Sequence, residues 1–436
     1  MSDAIAPEPE PAAAHGSEER APAPLTGDSF VALADLRAAP AAHARHRLPF
    51  PVVGIGASAG GVEVVRQLFK AMPVDTGCAF VVVMHLAAER PSMLDALGAR
   101  CTTMRVLQVD NASDVLPNHV YIASPGNYLR LEGNRLRVEP IVTRPPKSVA
   151  IDRFMVTLAA HQAELAIGVV LSGADADGSI GLKAIKSEGG LTIAQLPSTA
   201  AHPDMPRSAV ATGAVDRQLS VDEIPSAIVE YLAHANLADL ANGEEAPGAA
   251  GEATLGRVLE HTRRRFGLDF RGYRKPMLLR RVHRRMGLSR VATMEAYAEL
   301  IASDAAEATA LRDDFLSNVT EFFREPESWT ALHDSVLPEL LAAKVEGEPL
   351  RVWVPACSTG EEAYSLAMVL LERPELAALD LKLQIFGTDV DLQALEVARK
   401  ASTRSRSSIR CRANGCAAFS RTWTASSRCA SRCARW

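Results

Sequence analysis

From Leu48 onward the chain alternates short, unbroken apolar runs with stretches of helical character. "FPVVGIGAS" leads into a helix over about 60–72, and "GCAFVVVMHL" into one near 91–99. "AIGVVLSGADADG" leads into "SIGLKAIKSEGG", after which comes "LTIAQ". Runs of Val and Ile without polar alternation read as strands buried on both faces. Alternating with helices, they predict an α/β domain with a doubly wound parallel sheet. The stretch "HVYIASPGNYLRLEGNRLRVEP" predicts two or three antiparallel strands with a turn at Gly133-Asn134, and "VDEIPSAIVEYLAHA" (221–235) a closing helix.

The remaining segments set the boundaries. Residues 1–47, rich in Ala, Pro and Glu without an apolar period, read as a disordered leader. The parallel-sheet domain occupies 48–236, a linker 237–252, and an all-helical domain 253–325, which is strongly basic in "HTRRRFGLDFRGYRKPMLLRRVHRRM". Within 326–400, "PLRVWVPACSTGEEAYSLAMVLL" makes a strand, a glycine turn and a helix. "LKLQIFGTDVDLQALEVARK" repeats that plan with an acidic turn. The pattern stops at about Lys400. Residues 401–436 are rich in Arg and Ser and contain no Asp, Glu or Lys.

Composition narrows the class. A chain of 436 residues with 47% hydrophobic and 23% charged positions has room for two or three ordinary globular domains. A net charge of −5 argues against a general nucleic-acid binder. No apolar run reaches the length of about eighteen residues that a membrane span needs. Asp3, Glu8 and Glu10 stand where a secretory signal would be basic, so a cytoplasmic protein is expected. Cys78, Cys101 and Cys357 read as small buried hydrophobes. Cys411, Cys416, Cys429 and Cys433 lack zinc-site spacing, and no metal is expected.

The chemistry turns on "VVGIGASAGGVEVV". Gly54-Ile-Gly56-Ala-Ser58-Ala59 satisfies the permissive form of the dinucleotide fingerprint, and Gly56-Ala-Ser58-Ala-Gly60 satisfies the exposed-serine turn. A nucleotide site needs an acid at the end of the next strand, yet that strand ends in His85. A further strand leads to Asp175 and Asp177. Ser58, His85 and one of these aspartates would meet beyond the carboxyl ends of a parallel sheet. They form the set an activated serine requires: nucleophile, proton acceptor and orienting carboxylate. The helix N-terminus behind Ser58 would offer N–H groups to a developing oxyanion. The order Ser…His…Asp differs from that of ordinary α/β-hydrolases.

These segments, together with "LPNHVYIASPGNYL", "IDRFMVTLA" and "MPRSAVATGAVD", resemble the catalytic domain of the chemotaxis methylesterase family, CheB, over roughly residues 50–234. The resemblance implies Ser58 as nucleophile, His85 as base and Asp177 as the orienting acid, with Asp175 a loop neighbour. It implies hydrolysis of glutamyl methyl esters on chemoreceptor helices, often with deamidation of glutamines, and no cofactor. The implied partners are chemoreceptor-type proteins and their histidine-kinase signalling components. Where relatives carry Met in the loop before the acid, this chain has Ala174.

"FLSNVTEFFREPESW", "RVWVPACSTGEEAYSLAM" and "IFGTDVDLQALEVAR" resemble the chemotaxis methyltransferase family, CheR, which uses S-adenosylmethionine in a Rossmann-like domain. A glycine turn at Gly360 lets a cofactor approach the backbone, and Asp389 at the second strand's end suits ribose hydroxyls. The resemblance places Asn318, Thr320 and Arg324 at the methyl-transfer pocket and Glu361 or Glu362 near the amino group. By residues alone, "STGEE" reads equally as a capped helix start. Arg280, Arg281, Arg284 and Arg285 form one broad helical face. That face is either solvated or a patch for acidic receptor helices, and the patch also supports a rival reading of the chain as a non-catalytic adaptor. Relatives continue past Lys400 with Gly-Val/Ile-Tyr-Pro. Moving the codons for Ala401-Ser402-Thr403-Arg404 back by one base can restore that sequence, so a frameshift near codon 400 is expected. The predicted consequence is poor folding of 326–400 and loss of methyl transfer.

Overall fold

The computed structural model describes residues 47–84, 101–141, 149–234, 249–316, 320 and 322–400. The first domain contains, in chain order, β1 (Val52–Ala57), α1 (Gly61–Ala71), β2 (Ala79–Met84), β3 (Arg105–Val109), β4 (Ser113–Asp114), β5 (His119–Ala123), β6 (Asn127–Glu132) and β7 (Arg135–Pro140). It continues with α2 (Ala150–Gln162), β8 (Ala166–Val170), α3 (Ser179–Ser187), β9 (Leu191–Gln195), α4 (Asp204–Ala211), β10 (Arg217–Leu219) and α5 (Ile224–His234). Strands β10-β9-β8-β1-β2-β5-β3 form one sheet, and the pairings within it are parallel. Every residue of β1, β2, β8 and β9 is buried, which is why these strands carry no polar alternation.

Successive residues of β1 face opposite layers. Val53 and Ile55 join the core beneath α1 and α5, while Val52 joins the core shared with Phe154 and Leu158 of α2 and Leu182 of α3. The chain order reverses between β1 and β8. From β1 it runs outward through β2, and from β8 it runs the other way through β9 and β10. The crevice above their carboxyl ends is therefore the switch point at which such sheets hold their sites.

The helix expected at 60–72 forms as α1, while the one expected near 91–99 lies outside the described residues. The expected antiparallel stretch is only partly so. β6 and β7 form the hairpin around Gly133-Asn134, with β4 as third strand, but His119–Ala123 enters the main sheet parallel to β2 and β3. Four of its five residues are buried, and neighbours on both sides offer more apolar contact than a hairpin edge would.

The second domain packs α6 (Ala249–Phe266), α7 (Lys275–Ser289), α8 (Met294–Ser303) and α9 (Ala305–Phe315) around Val258, Leu278, Val282, Met286, Tyr297 and Leu311. The Thr293 hydroxyl caps α8 and the Asp304 carboxylate caps α9 by accepting from first-turn amides. The third segment contains α10 (Pro326–Ala331), α11 (Leu337–Ala342), β11 (Pro349–Pro355), α12 (Glu361–Leu371), α13 (Pro374–Ala378), β12 (Lys382–Thr388) and α14 (Leu392–Lys400). β11 and β12 pair in parallel, and Trp353 and Phe386 on them are exposed. Residues 401–436, on which the frameshift expectation rests, lie outside the described residues.

The arginine face of α7 corrects an expectation. Arg284 is fully buried, with its guanidinium between Asp216 of the sheet domain and Asp314 of α9, and its Nε donates to the Gly190 carbonyl at 2.9 Å. Arg281 is buried too and donates to the carbonyls of Lys186 and Ser187 at the end of α3. Arg285 pairs with Glu307, Nε to Oε1 at 2.8 Å. The face thus closes a seam between two domains, and Arg281 and Arg284 are not presented to a receptor helix. Two carboxylates and three carbonyls replace the water these two cations give up, which makes their burial tolerable.

Candidate active site at the switch point

β1 ends at Ala57, and the chain turns through Ser58-Ala59-Gly60 into α1. Gly60 caps that helix at φ 74°, a left-handed conformation that a glycine takes without steric cost. Ser58 is half-buried. Its N–H donates to the Ser172 carbonyl at 3.0 Å, and its own carbonyl accepts from the Gly61 N–H at 2.8 Å. Those two N–H groups are committed within the fold.

Gly54 and Gly56 are strand residues, not loop residues. A Cβ at Gly56 would stand 2.4 Å from Ile151 Cγ2, and one at Gly54 3.0 Å from both Phe154 and Leu158. Their bare backbone lets α2 lie against the strand. This close packing accounts for the G-x-G spacing without a nucleotide.

The loop after β8 folds over the serine turn. Leu171 N–H donates to the Gly56 carbonyl, and the Ser172 hydroxyl donates to the Ala59 carbonyl at 3.0 Å. Gly173 comes so near that a Cβ on it would lie 2.9 Å from Ser58 Cβ. The two candidate aspartates then separate. Asp175 is exposed at φ 81°, whereas Asp177 is buried. Asp177 Oδ2 accepts from Ile151 N–H at 2.9 Å, and its Oδ1 from Asp152 N–H at 2.8 Å and Gly178 N–H at 3.0 Å. His85 lies outside the described residues. Met84 before it is the register partner of Ala57, the residue before Ser58.

Asp152, which the sequence reading passed over, stands beside Asp177. It is buried in the first turn of α2, and its Oδ1 accepts from Gly181 N–H at 2.8 Å. Burial and then the neighbouring Asp177 push its carboxyl up to about 8. The signal available in the sequence was an acid in the first turn of the mostly apolar helix "IDRFMVTLA".

In the third segment, Gly360 caps α12 at φ 95°, and Ala356 and Ser358 in the same turn also have positive φ, 54° and 48°. Such strain collects where a turn is shaped for a ligand. The Asp389 carboxylate closes on this turn by accepting from Ser358 N–H at 2.7 Å and Asp391 N–H at 2.8 Å. Glu361, the first residue of α12, accepts from the Thr359 hydroxyl, and Glu362 follows in the same first turn. Phe323 N–H donates to the Ser365 hydroxyl at 3.0 Å, which ties the segment bearing Thr320 and exposed Arg324 to α12. Asn318 lies outside the described residues.

Fold and strand-end chemistry define the class: a doubly wound α/β domain with a serine turn at its switch point, followed by an all-helical domain and a strand–helix unit of Rossmann type. Comparison with known proteins then fixes the family. Residues 53–228 match CheB methylesterase, 253–316 the all-alpha domain of CheR methyltransferase, and 318–420 its SAM binding domain. A 104.1 kDa protein of the hypE 3′ region of Rhodobacter capsulatus is 36% identical over 322 residues, 70% of this chain and 34% of that protein. A putative protein-glutamate methylesterase/protein-glutamine glutaminase of Leptospira interrogans is 31% identical over 176 residues, 40% of this chain and 91% of its own length. The catalytic domain of Thermotoga maritima CheB methylesterase aligns with 26% identity and a TM-score of 0.38, covering 42% of this chain and 98% of that one. The chain thus spans about a third of the Rhodobacter relative's length. It belongs to the CheB methylesterase family and also carries regions that match the all-alpha and SAM binding domains of CheR methyltransferase. Among the described residues no helix is long and apolar enough to cross a membrane.

Proposed function

We propose that the first domain is a serine esterase that removes methyl groups from glutamyl methyl esters on chemoreceptor-type proteins, with deamidation of glutamines as a second reaction of the same site. The observation that carries the reading is the meeting of the Ser58 turn and the Asp177 loop at the switch point of the sheet. Asp175 is exposed and Asp177 is fixed by three backbone amides, which favours Asp177 as the orienting acid.

Ser58 Oγ attacks the ester carbonyl and passes its proton to His85. The tetrahedral adduct collapses as the carbon–methoxy bond breaks, and His85 returns that proton to the departing methoxide, releasing methanol. Water then attacks the glutamyl-serine ester, giving its proton to His85, which restores it to Ser58 as the glutamate leaves. Asp177 holds the imidazole in the tautomer that can accept and stabilises it when protonated. The oxyanion is stabilised by N–H groups of the turn after Ser58 other than that of Gly61, and of the loop around Ala174.

The second module would hold S-adenosylmethionine at the Gly360 turn, with Asp389 on the ribose, Glu361 or Glu362 on the amino group, and Asn318, Thr320 and Arg324 about the methyl acceptor. The strained turn and the acid closing on it fit such a ligand. The cofactor supplies the methyl group when bound. The paired strands β11 and β12 leave Trp353 and Phe386 exposed, an apolar surface that supports the reading that this module does not transfer methyl groups.

The test of the esterase reading is mass spectrometry of a receptor peptide carrying a methylated glutamate. Native chain should convert it to the free acid. Ser58→Ala and His85→Gln should slow conversion by about 10⁴-fold or more. Conversion by Ser58→Ala at the native rate would contradict the assignment.

A further inference from the structure

Helices α2 and α3 lie side by side with their amino ends together, in closer contact than ordinary helices make. A Cβ on Gly181 would fall 2.4 Å from Met155 Cβ, and one on Gly178 would fall 3.1 Å from Ile151 Cγ2. At this junction two buried carboxylates exchange helices. Asp177, just before α3, accepts from the first-turn amides of Ile151 and Asp152 in α2. Asp152, in α2, accepts from the first-turn amide of Gly181 in α3.

We propose that Asp152 is a positioning residue for the esterase reaction: by anchoring the start of α3 it fixes the loop that carries Asp177, and so the orientation of the general base. This rests on the reading of Asp177 as the orienting acid. Neither carboxylate is placed by its own segment alone. Asp177 depends on α2 for two of its amide donors, and α3 is held to α2 by Asp152.

The electrostatics suit that role. Two charged carboxylates buried together would repel strongly, although the amino ends of two helices relieve part of this. Burial first, and then the neighbouring Asp177, push the Asp152 carboxyl upward, which favours its neutral form over a second buried charge at this junction. Its Oδ1 still accepts from Gly181. An asparagine can do the same with its amide oxygen, while an alanine cannot.

The experiment compares native chain, Asp152→Asn, Asp152→Ala and Asp177→Asn, all full length. kcat and KM are measured for methyl release from a methylated receptor fragment, and folding is checked by circular dichroism and melting temperature. Loss of anchoring should lower kcat of Asp152→Ala by about 10²-fold with KM little changed, because the substrate surface is untouched while the base is misaimed. Asp152→Asn should keep kcat within about threefold, since the anchoring bond survives. If Asp152→Ala does not fold, Asp152→Ser, polar but too short to reach Gly181, reads the same loss. Native kcat in folded Asp152→Ala or Asp152→Ser, or an equal loss in Asp152→Asn, would overturn the inference while leaving Asp177 in place. Native kcat in Asp177→Asn would instead remove the reading of the acid, and this inference with it.

Discussion

Arg284 of α7 donates through Nη2 to Asp216 Oδ1 across the seam between the parallel sheet and the helical domain. Through Nη1 the same guanidinium reaches Asp314, so one cation joins carboxylates from both domains. Around it, Arg217 Nη2 donates to the Leu288 carbonyl at 2.8 Å and Arg290 pairs with Glu230 at 2.7 Å. Gly190 precedes β9 and Asp216 precedes β10, so the seam lies at the amino ends of the strands, opposite Ser58. The helical domain is docked where it leaves the serine turn open.

That arrangement predicts separable effects on stability and activity. Arg284→Ala would leave Asp216 and Asp314 buried without their cation, a loss of about 3–5 kcal/mol in unfolding free energy. Denaturant titration of the full chain measures it. Methyl release should stay near native wherever the protein is folded, because the seam and the serine turn lie at opposite ends of the strands.

Acid should open the same seam. Burial works to raise the Asp216 carboxyl, but the Arg284 and Lys186 charges outweigh it and hold the group below its ordinary 3.8. A folded-state value below the unfolded one contributes stability that is fully present above the unfolded value and is lost as pH falls through the folded one. The contribution of this group to the melting temperature should therefore be full and level above about pH 5 and should be lost as pH falls below about pH 4. Asp216→Asn should flatten that acid limb.

Gly56→Ala should be costly for its size. The added methyl would fall 2.4 Å from Ile151 Cγ2, at the turn of α2 whose amides hold Asp177. Overpacking of this kind costs about 1–3 kcal/mol, and here it should also reduce kcat. A thermal melt and a kinetic assay check both. A nucleotide-binding role for Gly54 and Gly56 would predict little change in the melt.

The second module should be silent. The chain as written should transfer no radiolabel from methyl-labelled S-adenosylmethionine to a receptor fragment. A DNA read through codon 400 that shows a shifted frame would account for it, and transfer at a rate typical of an enzyme would refute it.

How far the sequence reached differs by element. β1, β2, β8 and β9 were legible because a strand buried on both faces must be apolar at every position, and theirs are. β5 was misread because "HVYIA" adjoins a true hairpin, and its pairing with β2 and β3 is set by partners distant in sequence. The turn that carries Ser58 was legible from its glycines, although Gly54 and Gly56 serve helix packing. The buried arginines were not. Arg284 meets Asp314 and Asp216 at separations of 30 and 68 residues, and an arginine-rich helix face looks the same in sequence whether water or carboxylates surround it. Asp152 escaped for a similar reason, since its partner Gly181 lies 29 residues away.

If Ser58 is the esterase nucleophile, methanol release depends on its hydroxyl. Full-length native chain and Ser58→Ala are each incubated with a methylated receptor fragment, and free methanol is measured over time. Steady release is expected from the native chain and a rate lower by about 10⁴-fold or more from the variant. No release from the native chain, or equal release from both, would contradict that assignment.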